Sequence, residues 1–309
     1  MLGKTLIIVN PAARSGKANE AAAHAAGTFN RMKAAYPKEL ESITFRYTVS
    51  PQDATRIARA EGAQVDSIFV IGGDGVIHET VNGLMTLPRA DRPRLGIIPC
   101  GNGDDFARTI GMDRAPQKSL QQIESFSLTP KCIDIGCVNG TWFAETLSFG
   151  LDAAIALGTA DLRKKTKRTG TSLYLQCGFD QVMNHRTPRS CTVRFDDREP
   201  QALSVYLLAV QNGTSYGGGF KICPDARHND GLLDICYAEP ELSASAALKL
   251  LLKAKNGNHT AHPNLTFARA KHIVLDFEDD VPAQVDGERI ESRHFDIELF
   301  PGELDVLMP

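Results

Sequence analysis

The stretch VIGGDGVIHETVNGLM, residues 70–85, places one carboxylate, Asp74, among Gly72, Gly73 and Gly75, between an apolar run and a helical pattern. Glycine lets backbone amides approach a phosphate with no side chain in the way, and a following helix N-terminus adds partial positive charge. The stretch IIPCGNGDDFAR, residues 97–108, repeats the device: Gly101 and Gly103 flank Asn102, and Asp104 and Asp105 open a helix. Turns on successive strands face the same crevice, where an anion with its metal ion would fit. The plainer reading makes Asp74 a helix cap and Asp104 and Asp105 first-turn acids favoured by the helix dipole. Neither loop is a Walker A or a dinucleotide fingerprint. Gly16-Lys17 lacks the earlier glycine and is followed by Ala18, and no GxGxxG follows the first apolar run.

These turns need strands before them and helices after them. TLIIV, residues 5–9, reads as a buried strand ended by Asn10-Pro11, and the Ala-rich stretch 18–35 is helical by propensity. Ile43, Phe45, Tyr47 and Val49 alternate as one face of a second strand, and Ser50-Pro51 caps the next helix. A third strand at 67–71, the glycine turn, a helix through Leu87 and a fourth strand at 95–98 complete a β/α alternation. That rhythm specifies a mostly parallel sheet within an α/β fold. Beyond about residue 125 it gives way to strands at 131–138, 142–149, 191–195, 203–210, 233–237, 273–277 and 295–299, with an Asn139-Gly140 hairpin turn. Helices interrupt them at 153–162 and 243–255, and the run Leu248–Leu252 reads as core. The expected organisation is an α/β domain over 1–125, to which 302–309 could return, and a mainly antiparallel β-rich domain over 126–301.

Composition narrows the function classes. With 309 residues, 42% hydrophobic and 23% charged, the chain has the composition of an ordinary globular protein, and its length suits two domains or one large one. A formal charge of -3 argues against nucleic-acid binding, so any anion site is local. Seven scattered cysteines without repeated CxxC spacing point to a reducing, cytoplasmic compartment rather than a disulfide framework or zinc module. No apolar stretch is long enough to span a bilayer, and the first residues lack the pattern of a signal peptide. A lipid substrate would therefore require transient visits to the membrane surface. The sequence leaves a homodimer open.

The motifs VNPAARSGK, DAT after Thr48, GGDGVIHETVNGL, PCGNGDDFAR, IDIG, FGLDA, GGGFKICPDARHNDGLLD, HTAHPNLTFARAKHI and VDGE run through almost the whole chain. In order and spacing they resemble the soluble diacylglycerol kinase-like lipid kinases, relatives of sphingosine kinases and, more distantly, NAD kinases. The resemblance implies ATP-dependent phosphorylation of a lipid hydroxyl, with ATP in the cleft between an α/β domain and a β-rich domain. It implies ATP contacts at Asn10, Thr48, Gly72, Gly73, Asp74, Gly75, Val76, Glu79, Gly101 and Asn102. A structural Mg²⁺ is implied at RHNDGLLD, held by Asp230 and the backbone carbonyls of Arg227 and Leu232; an Asn-Asp-Gly turn is the alternative. Glu288 of VDGE is implied as the base that takes the hydroxyl proton, helped by Asp74, with Asp286 as a structural partner; a hairpin turn with exposed acids is the alternative.

Several positions depart from the family pattern. Val76 stands where Thr is usual, His78 where Asn is, Asn102 where Thr is, Asp104 where Asn is, and Asn229 where Asp is. His78-Glu79 is nearer the sphingosine kinase form. The rivals are therefore a sphingoid-type lipid kinase, an NAD kinase, and a non-catalytic nucleotide- or lipid-binding protein. The basic run LRKKTKRTG, residues 162–170, is a solvated face by default and a contact for anionic headgroups if the substrate is a lipid.

Overall fold

The computed structural model describes residues 2–166, 168, 171–184, 187–240 and 242–309. The chain divides into two compact units, Met1–Ile133 with Gly302–Pro309, and Asp134–Pro301. The sequence rhythm put the break after residue 125; contacts put it after Ile133, within a strand.

The first unit contains β1 (Gly3–Val9), α1 (Lys17–Ala35), β2 (Leu40–Tyr47), α2 (Asp53–Glu61), β3 (Ser67–Gly72), α3 (Asp74–Leu84), β4 (Arg94–Pro99), α4 (Asp105–Thr109) and α5 (Pro116–Glu124). The parallel strands lie in the order β2-β1-β3-β4. Chain direction reverses its sideways progress at β1, so the carboxyl ends of β1 and β3 flank a topological switch point, where open α/β sheets bind ligands. Every residue of β3 is buried, which is why it reads as an unbroken apolar run rather than an alternation. Ala18, Ala21, Ala22, Ala25 and Phe29 of α1 pack with Leu120 and Ile123 of α5 on Ile7, Val9, Phe69 and Ile71. Gly83 lets α3 approach α2, because a Cβ there would meet the Thr55 carbonyl at 2.5 Å.

Two details differ from the sequence reading. Val49 is 87% exposed and outside the strand, which ends at Tyr47. The next helix starts at Asp53 rather than at Pro51: Gln52 takes a left-handed conformation at φ 66°, Glu79 caps the helix by accepting from the Gln52 and Ala54 amides at 2.9 and 3.2 Å, and Asp53 reaches back to accept from the Val49 amide at 3.0 Å.

β5 (Thr129–Val138) leads into the second unit. There follow β6 (Thr141–Phe143), β7 (Thr146–Gly150), α6 (Leu151–Thr166), α7 (Thr171–Asn184), β8 (Arg189–Phe195), β9 (Gln201–Val205), β10 (Leu207–Gln211), β11 (Leu233–Ala238), α8 (Ala244–Ala254), β12 (Leu265–Ala270), β13 (His272–Phe277), β14 (Ala283–Val285), β15 (Glu288–Arg289) and β16 (His294–Met308). One antiparallel sheet runs β12-β11-β10-β7-β14-β15. Facing it, β9, β8, β13 and the first half of β16 pair antiparallel. Their inward residues, among them Leu147, Phe149, Val193, Leu208, Ile235, Leu275, Phe277 and Phe295, form one core. The run expected as a single strand at 203–210 breaks at Tyr206, and its halves enter different sheets. The later half of β16 returns to the first unit, where Val306 pairs with Leu95 in parallel and Arg92 is ion-paired with Glu303. No helix among the described residues is long and apolar enough to cross a membrane.

Phe149 has no exposed surface and stacks on Phe295 and Phe277 at centroid distances of 4.7 and 5.5 Å. Phe149→Ala is expected to cost about 3–5 kcal/mol, read as a lower urea midpoint with an unchanged denaturant slope.

Candidate active site

In the first unit the two glycine turns meet backbone to backbone. A Cβ on Gly101 would lie 2.5 Å from the Gly73 Cα, and one on Gly73 would lie 2.9 Å from the Gly101 Cα. Only two glycines permit this approach. The Cys100 amide donates to the Gly72 carbonyl at 2.7 Å, continuing the pairing of β3 with β4 into the turns.

Acids lock the loops together. Asp74 Oδ1 accepts from the Asp105 and Phe106 amides at 2.9 and 3.2 Å, so it caps α4 from the neighbouring loop. Its cap is on another helix than the one it begins. A Cβ on Gly103 would lie 2.8 Å from Asp74 Oδ2, so this glycine leaves the second oxygen its room. Asp104, in the left-handed region at φ 51°, accepts from the Gly101 amide at 2.7 Å. Burial and the nearby Asp74 charge push its carboxyl up to about 6. Asp105 is ion-paired with Arg108.

The remaining expected contacts fall as follows. Asn10 ends β1, its amide donating to the Ile71 carbonyl at 3.0 Å and its side chain accepting from Ala12 at 3.1 Å. Thr48 is buried, its amide on the Val9 carbonyl at 2.9 Å. Val76 is buried, and its side chain takes the space that a Cβ on Gly72 would need. Gly75 lies in the first turn of α3. Glu79 has both carboxylate oxygens turned to the start of α2, which makes it a brace for the segment after Thr48. Asn102 is exposed at the tip of its turn. It borders an open depression of about 870 Å³, with Arg14, Gly101, Asp104, Arg108, Asp113 and Arg114 also in the lining. Three arginines at a glycine-rich rim suit a polyphosphate. Arg14 and Arg114 were not legible as a pair, since 100 residues of chain separate them and neither belongs to a spaced motif.

In the second unit VDGE forms a two-residue hairpin: Val285 pairs with Glu288, and Asp286 and Gly287 take φ values of 47° and 91°. Asp286 accepts from the Ala144, Glu145 and Thr146 amides at 2.9, 3.1 and 2.9 Å. The buried Gln284 accepts from the Gly287 amide at 2.6 Å and donates to Ser148 at 2.8 Å. The hairpin is thus held on both sides, and Glu288 is exposed on it. Sequence reading missed Asp152, enclosed at the start of α6, where burial pushes its carboxyl up to about 6 and the hydroxyls of Tyr216, Ser148 and Tyr174 oppose that shift. Its only signal was an acid within an otherwise apolar motif.

The residues implied for a structural Mg²⁺ do not fit a cation as arranged. Asp230 is ion-paired with Arg269, whose Nε also lies 3.2 Å from Asp234, and Asp230 Oδ1 accepts from the Leu232 amide at 3.2 Å. The guanidinium stands where a cation would have to compete for the one carboxylate among Arg227, Asp230 and Leu232. The turn itself is held by Asp134, which accepts from the Gly231 amide at 2.7 Å. Among the described residues no group of three or more His, Cys, Asp or Glu could hold a metal ion.

Residues 4–138 match the family model of the diacylglycerol kinase catalytic domain, and residues 145–308 match that of the YegS C-terminal NAD kinase beta sandwich-like domain. Fold and motifs thus define a kinase of the diacylglycerol kinase class. The chain is 30% identical over 271 residues to a Pseudomonas aeruginosa protein named "Probable lipid kinase YegS-like", covering 86% of this chain and 85% of that one. A Chromohalobacter salexigens protein of the same name is 29% identical over 268 residues, 86% and 84% of the two chains. The crystal structure of a diacylglycerol kinase from Bacillus anthracis superposes with a TM-score of 0.78 at 25% identity, covering 99% of this chain and 97% of that one. This chain belongs to the YegS-like lipid kinase family.

Two outcomes test this geometry. The fold holds the Asp104 proton more tightly than the unfolded chain does, so stability falls as pH rises from about 4 to about 6. Asp104→Asn keeps the acceptor for Gly101, tolerates the left-handed backbone and removes the charge. It is expected to gain on the order of 1–2 kcal/mol at about pH 8, a gain that vanishes near pH 4 in urea titrations. At the Arg269 pair, a chelator is expected to leave the wild-type melting temperature unchanged. Arg269→Gln exposes Asp230 and Asp234 to each other and is expected to lose about 1 kcal/mol, discounted for the exposure of the pair, with Mg²⁺ restoring part of it only in the variant.

Proposed function

We propose that this lipid kinase transfers the γ-phosphoryl of ATP to a hydroxyl of diacylglycerol or a closely related lipid. The observation that carries the reading is the Gly73–Gly101 contact, which aligns two amide-bearing turns with Asp74 at their junction, at the rim of the arginine-lined depression. The backbone of Gly72, Gly73, Gly75 and Asn102 cradles the phosphates, with Asn10 and Thr48 at the neighbouring strand ends; Gly101, whose amide is held by Asp104, gives the turns room to meet. Arg14 and Arg114 bring positive charge to the depression beside these turns, while Val76 offers the phosphates no hydroxyl. Mg²⁺ enters with the nucleotide, as part of the Mg·ATP substrate, and Asp74 faces that charge.

Phosphoryl transfer asks little covalent chemistry of the protein, so positioning and one base suffice. The lipid oxygen bonds to the γ-phosphorus as the bond to the β,γ-bridging oxygen breaks, ADP leaves, and the hydroxyl proton passes to Glu288. Asp286 keeps the hairpin in place through its three amide bonds. Arg163, Lys164, Lys165 and Arg168 attract an anionic membrane surface; Lys167, of the same run, lies outside the described residues. The place of action is the cytoplasm, with transient membrane contact.

Radiolabel from γ-labelled ATP should pass to one fraction of a lipid panel containing diacylglycerol, monoacylglycerol, phosphatidylglycerol and sphingoid bases, and not to NAD. Label on the sphingoid bases, on NAD, or on no substrate would reject the reading. Glu288→Gln is expected to lower kcat at least about a hundredfold with the ATP KM nearly unchanged. Asp74→Asn, whose side-chain oxygen can still cap α4, is expected to lower kcat without lowering the melting temperature.

A further inference from the structure

Two helices of the second unit, α7 and α8, carry three large apolar side chains that its core does not use. α6, α7 and α8 share a cluster formed by Leu151, Ile155, Tyr174, Cys177, Val182 and Leu250, among others. Gly178 brings α7 against α8, since a Cβ there would meet Leu251 at 2.6 Å. With the inward faces so occupied, Phe179, Met183 and Leu252 remain 57%, 51% and 60% exposed. Leu248–Leu252, which the sequence suggested was core, is core only in part: Leu250 is buried, Leu248 and Leu251 are half-buried, and Leu252 projects. Phe179 and Met183 are one helical turn apart, continuing the half-buried Leu175, and Leu252 stands one turn beyond Leu248. Single exposed apolar residues are ordinary. Three on two packed helices, each continuing a half-buried stripe, mark an interaction surface.

The surrounding charges select the occupant. Lys249 and Lys253 are exposed on α8, and Lys164 and Lys165 are exposed at the end of α6. Among the described exposed residues of these three helices only Asp161 and Asp180 are acidic, and Asp180 accepts from Asn184 at 2.8 Å. This basic sign is local, because the chain as a whole carries -3. A second copy meeting the same surface would set lysines against lysines. A bilayer accepts projecting side chains without a matching pocket, and its anionic headgroups pair with the lysines around them.

We propose that Phe179, Met183 and Leu252 form a lipid-insertion surface by which the second unit docks on an anionic bilayer, with the exposed lysines of α6 and α8 drawn to its headgroups. The proposal rests on the lipid kinase reading for its purpose, but docking and phosphoryl transfer are measured separately. The insertion is interfacial: side chains enter the headgroup and upper acyl region while the helices stay outside. Its apolar part is insensitive to salt, and its lysine part is screened.

The test is sedimentation of the full chain with vesicles of phosphatidylglycerol mixed with phosphatidylcholine, at low and high salt. The variant Phe179→Ser/Met183→Ser/Leu252→Ser is expected to lose vesicle affinity by at least about tenfold at both salts. It should keep its melting temperature and its turnover on detergent-dispersed lipid. Lys164→Ala/Lys165→Ala/Lys249→Ala/Lys253→Ala is expected to lose affinity chiefly at low salt. Wild-type affinity in the serine variant would overturn the proposal. So would a wild-type dimer that the serine substitutions turn into a monomer, which would assign the surface to self-association. Absence of phosphoryl transfer to dispersed lipid in the wild type would sink the kinase reading instead, leaving the vesicle result to decide docking on its own.

Discussion

The approach of Gly73 to Gly101 is the constraint on which the arrangement of the first unit's loops depends. Two strand ends in a parallel sheet are already close, but turns bearing side chains would have to splay apart. With a hydrogen atom in place of each side chain, Asp74 reaches the first amides of α4, and Asp104 reaches back to Gly101. The two loops become one rigid rim. The cost is visible in Asp104, which is buried near another acid and holds its proton to about 6.

The same device recurs across the molecule. Asp74 takes two amides of α4, Glu79 takes two at the start of α2, and Asp286 takes three at the corner before β7. Each is an acid of a motif, and each spends its charge on backbone N–H groups of a different loop. Such charge-assisted bonds tie one loop to another. In VDGE the labour is divided between neighbours: Asp286 is tied down, and Glu288 stands exposed. A motif's acids therefore cannot be assigned roles by type alone.

Much of the fold was legible. The run at β3 and the alternation at β13 carry their burial in their spelling, because full burial gives a continuous apolar segment and half burial gives a period of two. The glycines at 73 and 101 were legible as close approaches, though not as an approach to each other. Less was readable where tertiary contacts override local pattern. α5 and α7 were missed: the first is mostly polar, and the second interrupts its pattern with Gly178, a residue that packing against Leu251 demands. The break at Tyr206 left no mark, since both halves remain apolar in different sheets. Glu79 as a cap, Arg269 facing Asp230, and Arg14 with Arg114 at one depression all join residues far apart in sequence, where no local spacing can reveal them.

The strand β16 joins both units, and this has a bearing on how the chain acquires its shape during synthesis. Residues 302–309 bring Leu304, Val306, Leu307 and Met308, all buried, to the sheet built by residues 1–133. Domains made in one stretch can fold as they leave the ribosome, the earlier one first. Here the earlier unit lacks a strand until the later unit has been translated in full. Through that interval β4 presents an unpaired strand edge, the kind of edge with which another chain can pair.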